Sequence, residues 1–220
     1  MTGRICCFLI ALLSFAGGRR MVTEKIEWTY SDQPAAQNPA LPNVLLIGDS
    51  ITRAYYPAVA KNLDGKANVY YFATSASIGD ERLPHQLAEY YQMIHVSFHV
   101  VQFNNGMHGW AYTEDEYRAY FGEALAAVRA GAPRAKLVWA STTPVRKDKA
   151  GGPTNARIEA RNSIAAQGVG KDTKLDDQYQ LMKNHEDLHS DDVHYNSEGS
   201  ALQAAQVAAI ISKCLRNGAE

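Results

Sequence analysis

Four short apolar-rich runs, Val44–Ile47, Val69–Ala73, Phe98–Phe103 and Leu137–Ala140, recur along the chain, and the segments between them carry helical patterning. Short, largely apolar runs are what strands need when both of their faces are covered, which is the situation in a parallel sheet. Helices are predicted over Ala54–Leu63, Leu83–Met93 and Arg157–Gln167. Another opens at the capping box Thr113-Glu114-Asp115-Glu116 and runs to about Ala130, where Gly131-Ala132-Pro133 stops it. Lys174-Leu175 marks a weaker fifth strand. Ser197–Leu215 closes the chain as an amphipathic helix, with Leu202, Val207, Ile210 and Ile211 on its apolar side.

Strands alternating with helices at this spacing imply βαβ crossovers. The expected fold is α/β, a three-layer flavodoxin-like arrangement with a parallel sheet of about five strands and helices on both faces. A chain of 220 residues, 46% hydrophobic, buries a proper core as one domain. That domain is placed at 41–220. Residues 17–40 are polar, with Pro34 and Pro39, and read as an extended lead-in that Trp28 pins to the body. Ahead of it, Arg4 precedes the apolar run Ile5–Leu13, and Ser14-Phe15-Ala16 fits a small-x-small cleavage site. Residues 1–16 are therefore expected to be a signal peptide and the protein to be secreted or periplasmic, with no stable membrane insertion after processing. Met21, following Arg19-Arg20, is the alternative start and would leave the protein cytoplasmic. Cleavage leaves Cys214 as the one cysteine, expected to pack on the last helix. Lys+Arg of 22 against Asp+Glu of 23, with no basic face, gives no footprint for nucleic acid.

In an open α/β sheet ligands gather at the carboxyl ends of the strands. The loops expected there are rich in small polar residues: Gly48-Asp49-Ser50, Thr74 to Asp80, Asn104 to His108, Ser141 to Pro144, and His189 to His194 before the last helix. Gly-Asp-Ser directly after a buried strand admits two explanations. One is helix capping; the other is a nucleophilic serine held at the strand end. A serine hydroxyl needs a base, usually a histidine held by a carboxylate, and Asp191 and His194 stand three apart in one loop. An oxyanion also needs preorganised donors. The backbone N–H groups of Ser50 and Gly79 and one Asn side chain are candidates, glycine at 79 letting the backbone approach the reacting carbonyl.

With these residues in view, the chain from about Asn43 to the last helix resembles the SGNH/GDSL hydrolases. Gly48-Asp49-Ser50 matches the block that carries the nucleophile, Gly79 in "SASIGD" matches the glycine block, and Asp191-x-x-His194 matches the block with acid and base. The third block departs from the usual G-x-N-D: it reads "FNNGMHG", similar to a mainly bacterial branch with "FNNGLHGW" and with "TTPV" and "NAR" segments downstream. The resemblance implies a serine esterase with Ser50, Asp191 and His194 as its triad and Ser50, Gly79 and Asn104 as its oxyanion hole. Asn105 and His108 are the alternatives to Asn104. It implies a small-molecule or carbohydrate ester as partner, most often an O-acetylated carbohydrate for an exported member. Lysophospholipase or acyl thioesterase activity, or a non-catalytic glycan- or lipid-binding module, are the rival readings.

Other features weigh less. There is no G-x-S-x-G elbow, Walker loop or completed dinucleotide fingerprint, and no cofactor is expected. His95/His99 and His185/His189 have metal-compatible spacing but lack the further residues a site needs, so no metal is expected. Trp110 and Tyr55 are candidates for a wall against a substrate. Arg157 reads as helix surface, with a substrate contact as the alternative.

Overall fold

The computed structural model describes residues 19–216, so the expected signal peptide lies outside the described residues. Six strands form one sheet in the order β1-β3-β2-β4-β5-β6. They are β1 (Thr29–Asp32), β2 (Asn43–Gly48), β3 (Asn68–Thr74), β4 (Val100–Phe103), β5 (Lys136–Ala140) and β6 (Lys174–Asp176). Between and after them run α1 (Ser50–Asn62), α2 (Arg82–Ile94), α3 (Glu114–Gly131), α4 (Asn155–Gly168), α5 (Gln178–Met182) and α6 (Ser197–Arg216). β2 through β6 pair in parallel, as the alternation of strands and helices predicts.

The extra strand is β1, from the lead-in, which pairs antiparallel with β3 in the register Tyr30↔Ala73. All four of its residues are exposed, so no apolar run signals it; its backbone hydrogen bonds to β3 hold it in place. Trp28, just before it, donates its N–H to Ser75 Oγ at 2.9 Å and accepts the N–H of Ser75 at 3.1 Å. The lead-in is thus stitched to the loop after β3.

Successive strand residues face opposite layers. Leu45, Ile47, Tyr70, Phe72, Val101, Phe103 and Trp139 pack against α2, α3 and much of α4. Val44, Leu46, Val69, Tyr71, Val100 and Val138 pack against α1 and α6, where buried Cys214 also lies. Each fully buried aliphatic side chain contributes roughly 1.5–3 kcal/mol relative to exposure. The strands are short apolar runs because both their faces are spent in this way.

The order also sets where a site can form. From β2 the chain crosses by α1 to β3 on one side, then by α2 to β4 on the other. Helices α1 and α3, which follow the adjacent strands β2 and β4, lie on opposite faces of the sheet. This is the switch point of an open α/β sheet, and the loops after β2 and β4 flank its crevice.

Candidate active site

The two explanations of Gly-Asp-Ser divide between neighbouring residues. Asp49 caps α1, its buried carboxylate accepting the N–H of Ile51 at 3.0 Å. Helix α1 therefore starts at Ser50, four residues before the expected Ala54. Ser50 is left free of the capping role, and its backbone N–H sits in the first turn, where no intrahelical acceptor exists. Its Oγ lies 2.8 Å from His194 Nε2.

His194 arrives from the loop between a short 3-10 turn, Glu186–Leu188, and α6. Its Nδ1 lies 2.8 Å from Asp191 Oδ2. The other carboxylate oxygen, Oδ1, accepts the N–H groups of Val193 and His194, each at 2.7 Å. Burial works to raise the Asp191 pKa, but those backbone donors and the imidazole outweigh it and hold the carboxyl down at about 2. An ionised Asp191 keeps a proton on Nδ1 and leaves the Nε2 lone pair turned to Ser50 Oγ. Ser50, His194 and Asp191 thus form one hydrogen-bonded chain, able to draw the proton from a serine hydroxyl.

This chain lies at an open surface. The His194 and Asp191 side chains are 40% and 57% exposed. Among the described residues, a cavity of about 610 Å³ lies elsewhere, beside the start of β6 and lined by Lys174, Ile210 and Cys214 among others.

The expected oxyanion donors fare differently. Gly79 lies in the loop after β3, and among the described residues its N–H has no acceptor. A Cβ there would come within 2.4 Å of the Tyr112 ring, so the close approach that requires glycine is made to Tyr112. Asn104 is engaged elsewhere. Its amide donates to Ala140 O at 2.7 Å and to Thr142 Oγ1 at 3.2 Å, which commits both amide hydrogens. Asn104 ties the end of β4 to the end of β5 and has no donor to spare. Asn105 donates to Ala76 O at 2.8 Å. His108 turns Nδ1 to Glu24 Oε2 at 3.0 Å, and its Nε2 is buried without a partner.

The loop that carries these residues is held by groups far away in sequence. Arg161, only 1% exposed, donates to the carbonyls of His108 at 2.8 Å, Gly109 at 2.9 Å, and Gly106 and Tyr112 at 3.3 Å. Its guanidinium stacks 4.1 Å over the Trp110 ring. Arg157 donates to Trp110 O at 3.0 Å and Tyr112 O at 2.8 Å and pairs with Glu114 at 2.7 Å, so it is not bare helix surface but a second clamp on the loop. Asn162 and Asn155 clamp the neighbouring Thr142 and Val145 backbone in the same manner. From the lead-in, Glu24 accepts the Gly109 N–H at 3.0 Å, and Arg19 donates to Gly79 O at 3.0 Å. Arg161 and Glu24 were not singled out from sequence, although Arg157 and Arg161 lie four apart and so on one helix face. Tyr55 forms no wall: it is buried, with its hydroxyl donating to Gln102 Oε1 at 3.1 Å. No group of three metal-type side chains is assembled among the described residues, and none of their helices is long and apolar enough to cross a membrane.

No family model and no curated protein matches the sequence. Solved structures do match. A carbohydrate esterase family 3 protein from Talaromyces cellulolyticus is 18% identical, with a TM-score of 0.61 over 80% of this chain and 99% of its own. An acetyl esterase solved with an acetate ion is 18% identical, with a TM-score of 0.62 over 81% of this chain and 100% of its own. The chain has the fold of these esterases. A GDSL-like lipase from Bacteroides thetaiotaomicron shares it too, at 17% identity and a TM-score of 0.58, over 78% of this chain and 88% of its own.

Proposed function

We propose that the protein is a serine esterase of the SGNH/GDSL type, acting by acyl transfer on short-chain esters of carbohydrates, O-acetyl esters above all. The observation that carries this reading is the chain Ser50 Oγ–His194–Asp191, with both contacts at 2.8 Å. Ser50 Oγ attacks the ester carbonyl carbon, its proton passes to His194 Nε2, and the carbonyl π electrons move onto oxygen. Backbone N–H groups of Ser50 and Gly79 hold that oxyanion, each donor worth roughly 3 kcal/mol in the transition state. On collapse the bond to the alcohol oxygen breaks and His194 returns the proton to it. Water then attacks the acyl-enzyme by the same route and releases the acid.

The open setting favours a small acyl group on a bulky alcohol. A long acyl chain needs an apolar cavity to leave water, whereas a polymer-borne acetyl group needs an exposed nucleophile. The half-exposed His194 and Asp191 fit the second case. The esterase neighbours named for carbohydrate and acetyl substrates point the same way. The leader pattern of residues 1–16 supports export, where such glycans are met.

The test is hydrolysis of p-nitrophenyl acetate, butyrate and octanoate by wild type and Ser50→Ala. The expected result is turnover fastest on acetate and lost in the variant. A preference for octanoate moves the substrate to lipids. A folded wild type no faster than Ser50→Ala on every ester means the fold serves as a binding module.

A further inference from the structure

The near-even count of 22 Lys and Arg against 23 Asp and Glu hides a segregation that sequence spacing does not display. Strands β2 to β6 run parallel, so their amino ends share one edge of the sheet, and the Ser50 turn after β2 lies at the other. On the Ser50 edge arginines are matched by acids: Arg82 pairs with Glu27, Arg146 with Asp192 and Arg157 with Glu114. The amino edge is different. Lys66 stands just ahead of β3, Arg134 and Lys136 at the start of β5, Lys174 at the start of β6, and Lys213 and Arg216 at the end of α6. The acids set among them are Asp64 and Asp172, and among the described residues none of the six cations forms an ion pair. Part of this charge has a structural task. Lys66 Nζ donates to Asn62 O at 3.0 Å and Lys136 Nζ to Cys214 O at 2.7 Å, both carbonyls of a last helical turn. Lys213 and Arg216 complement the negative end of α6. Arg134 and Lys174 sit on no helix, so that account does not reach them.

Apolar surface is mixed into the same edge. The cavity of about 610 Å³ is lined by Lys136, Lys174 and Lys213 together with Leu175 and Ile210. A second, of about 330 Å³, shares Lys136 and Cys214 with it and brings in Arg134 and Leu215. Leu175 is 54% exposed, and Met93, near the end of α2 on this edge, is 64% exposed. Large apolar side chains standing in water among unpaired cations fit a partner that is both anionic and oily. A nucleic acid or an acidic polysaccharide would leave them unused. The cations are also spread along the edge rather than converged on one point, which suits many headgroups and not a single one. We infer that the amino edge of the sheet is an adsorption surface for a bilayer containing anionic phospholipid. The six cations meet the headgroup phosphates, and Leu175 and Met93 enter between the headgroups. Such adsorption is peripheral, and it leaves the Ser50 edge facing away from the bilayer.

The test is co-sedimentation of the protein with vesicles of about 30% phosphatidylglycerol in phosphatidylcholine, set against vesicles of phosphatidylcholine alone. At about 0.1 M salt, partitioning onto the anionic vesicles is expected to be at least about tenfold stronger, and at about 1 M salt the difference should vanish. The double variant Lys174→Glu/Lys213→Glu should lower partitioning onto anionic vesicles by about 10²-fold. Leu175→Ser should lower it about fivefold and leave its salt dependence unchanged, because an apolar contact is not screened. Both variants lie far from Ser50 and should keep wild-type turnover of p-nitrophenyl acetate, so a loss of binding is not a loss of fold. Wild type that ignores anionic vesicles at low salt overturns the proposal, and so does a charge-reversed variant that binds as wild type does. If duplex DNA, at matched phosphate concentration, strips the protein from the vesicles, the edge is a general polyanion site and the lipid assignment falls. None of these outcomes bears on the esterase reading, which stands or falls at the opposite edge.

Discussion

Two loops beside the carboxyl ends of the strands are built in opposite ways. The loop from Ser190 to His194 is largely exposed, and its catalytic-type pair is held locally: one carboxylate takes two backbone N–H groups and one imidazole nitrogen, all within three residues. The loop from Asn104 to Tyr112 is largely buried and is held from outside. Its carbonyls are paired by Arg161 across about fifty residues of sequence, and its Gly109 N–H by Glu24 across 85. Local hydrogen bonds set a geometry cheaply where water is present, because a lost partner is replaced by solvent. In a buried loop the same groups have to be met by protein, and only elements from elsewhere in the fold are within reach.

Breaking the local loop is expected to have the largest effect, and a kinetic one. Asp191→Ala removes the orienting carboxylate and should lower kcat on p-nitrophenyl acetate by about 10⁴-fold with the fold intact. An effect under tenfold would mean that Asp191 and His194 are not the acid–base pair. The sign of the pH effect on stability follows from the depressed pKa. Folded Asp191 sits at about 2, below its unfolded value. Its contribution is therefore present above the unfolded value of about 4 and is lost as pH falls towards 2. Wild type should lose a little more urea resistance than Asp191→Ala over that window, and only a little, since the side chain is 57% exposed.

Breaking the buried loop is expected to show first in stability. Arg161→Met leaves the carbonyls of Gly106, His108, Gly109 and Tyr112 with that donor removed in a site water does not reach. Removing one partner of a buried charged set costs about 3–5 kcal/mol, which urea denaturation reads directly. Arg161→Lys should recover little, since an ammonium cannot span the same carbonyls as the planar fork. A loss below about 1 kcal/mol would show that Arg157 and Glu24 suffice to hold the loop.

The same contrast explains what could be read from the sequence. Asp191 and His194 were legible because their geometry is local: three residues of spacing place the carboxylate on the ring. The parallel strands were legible because burial on both faces writes continuous apolar runs. Strand β1 was not, since Thr29–Asp32 is exposed throughout and is specified by backbone pairing with β3, which leaves no side-chain pattern. The engagement of Asn104 was not legible, because its position after the strand marks it as polar and nearby, while the direction of its amide depends on Ala140 and Thr142, 36 and 38 residues on. Arg161 passed as one more helical arginine. Its full burial is decided by Trp110 beneath it and by a loop whose carbonyls turn inward, and neither is visible in the spacing of α4.

The smallest effect sharpens the contrast from the exposed side. Arg146 pairs with Asp192, next to Asp191, at 3.1 Å, and the two side chains are 46% and 56% exposed. On paper this resembles the clamps on the other loop: an arginine from a distant segment reaching into a loop of the site. The environment makes it different. Water competes for both charges, and ordering two long side chains offsets most of the Coulomb gain, so such pairs contribute about 0–1 kcal/mol. The loop also has a second tie to the same segment, the Arg146 N–H to Asp192 O at 2.9 Å, which a side-chain substitution leaves in place. Arg146→Ala should therefore shift the urea midpoint by an amount equivalent to about 0.5 kcal/mol or less and leave kcat within about twofold. A tenfold fall in kcat would show that the exposed loop, too, depends on a distant arginine for its register, and the distinction between a self-held and an externally held half of the site would fail.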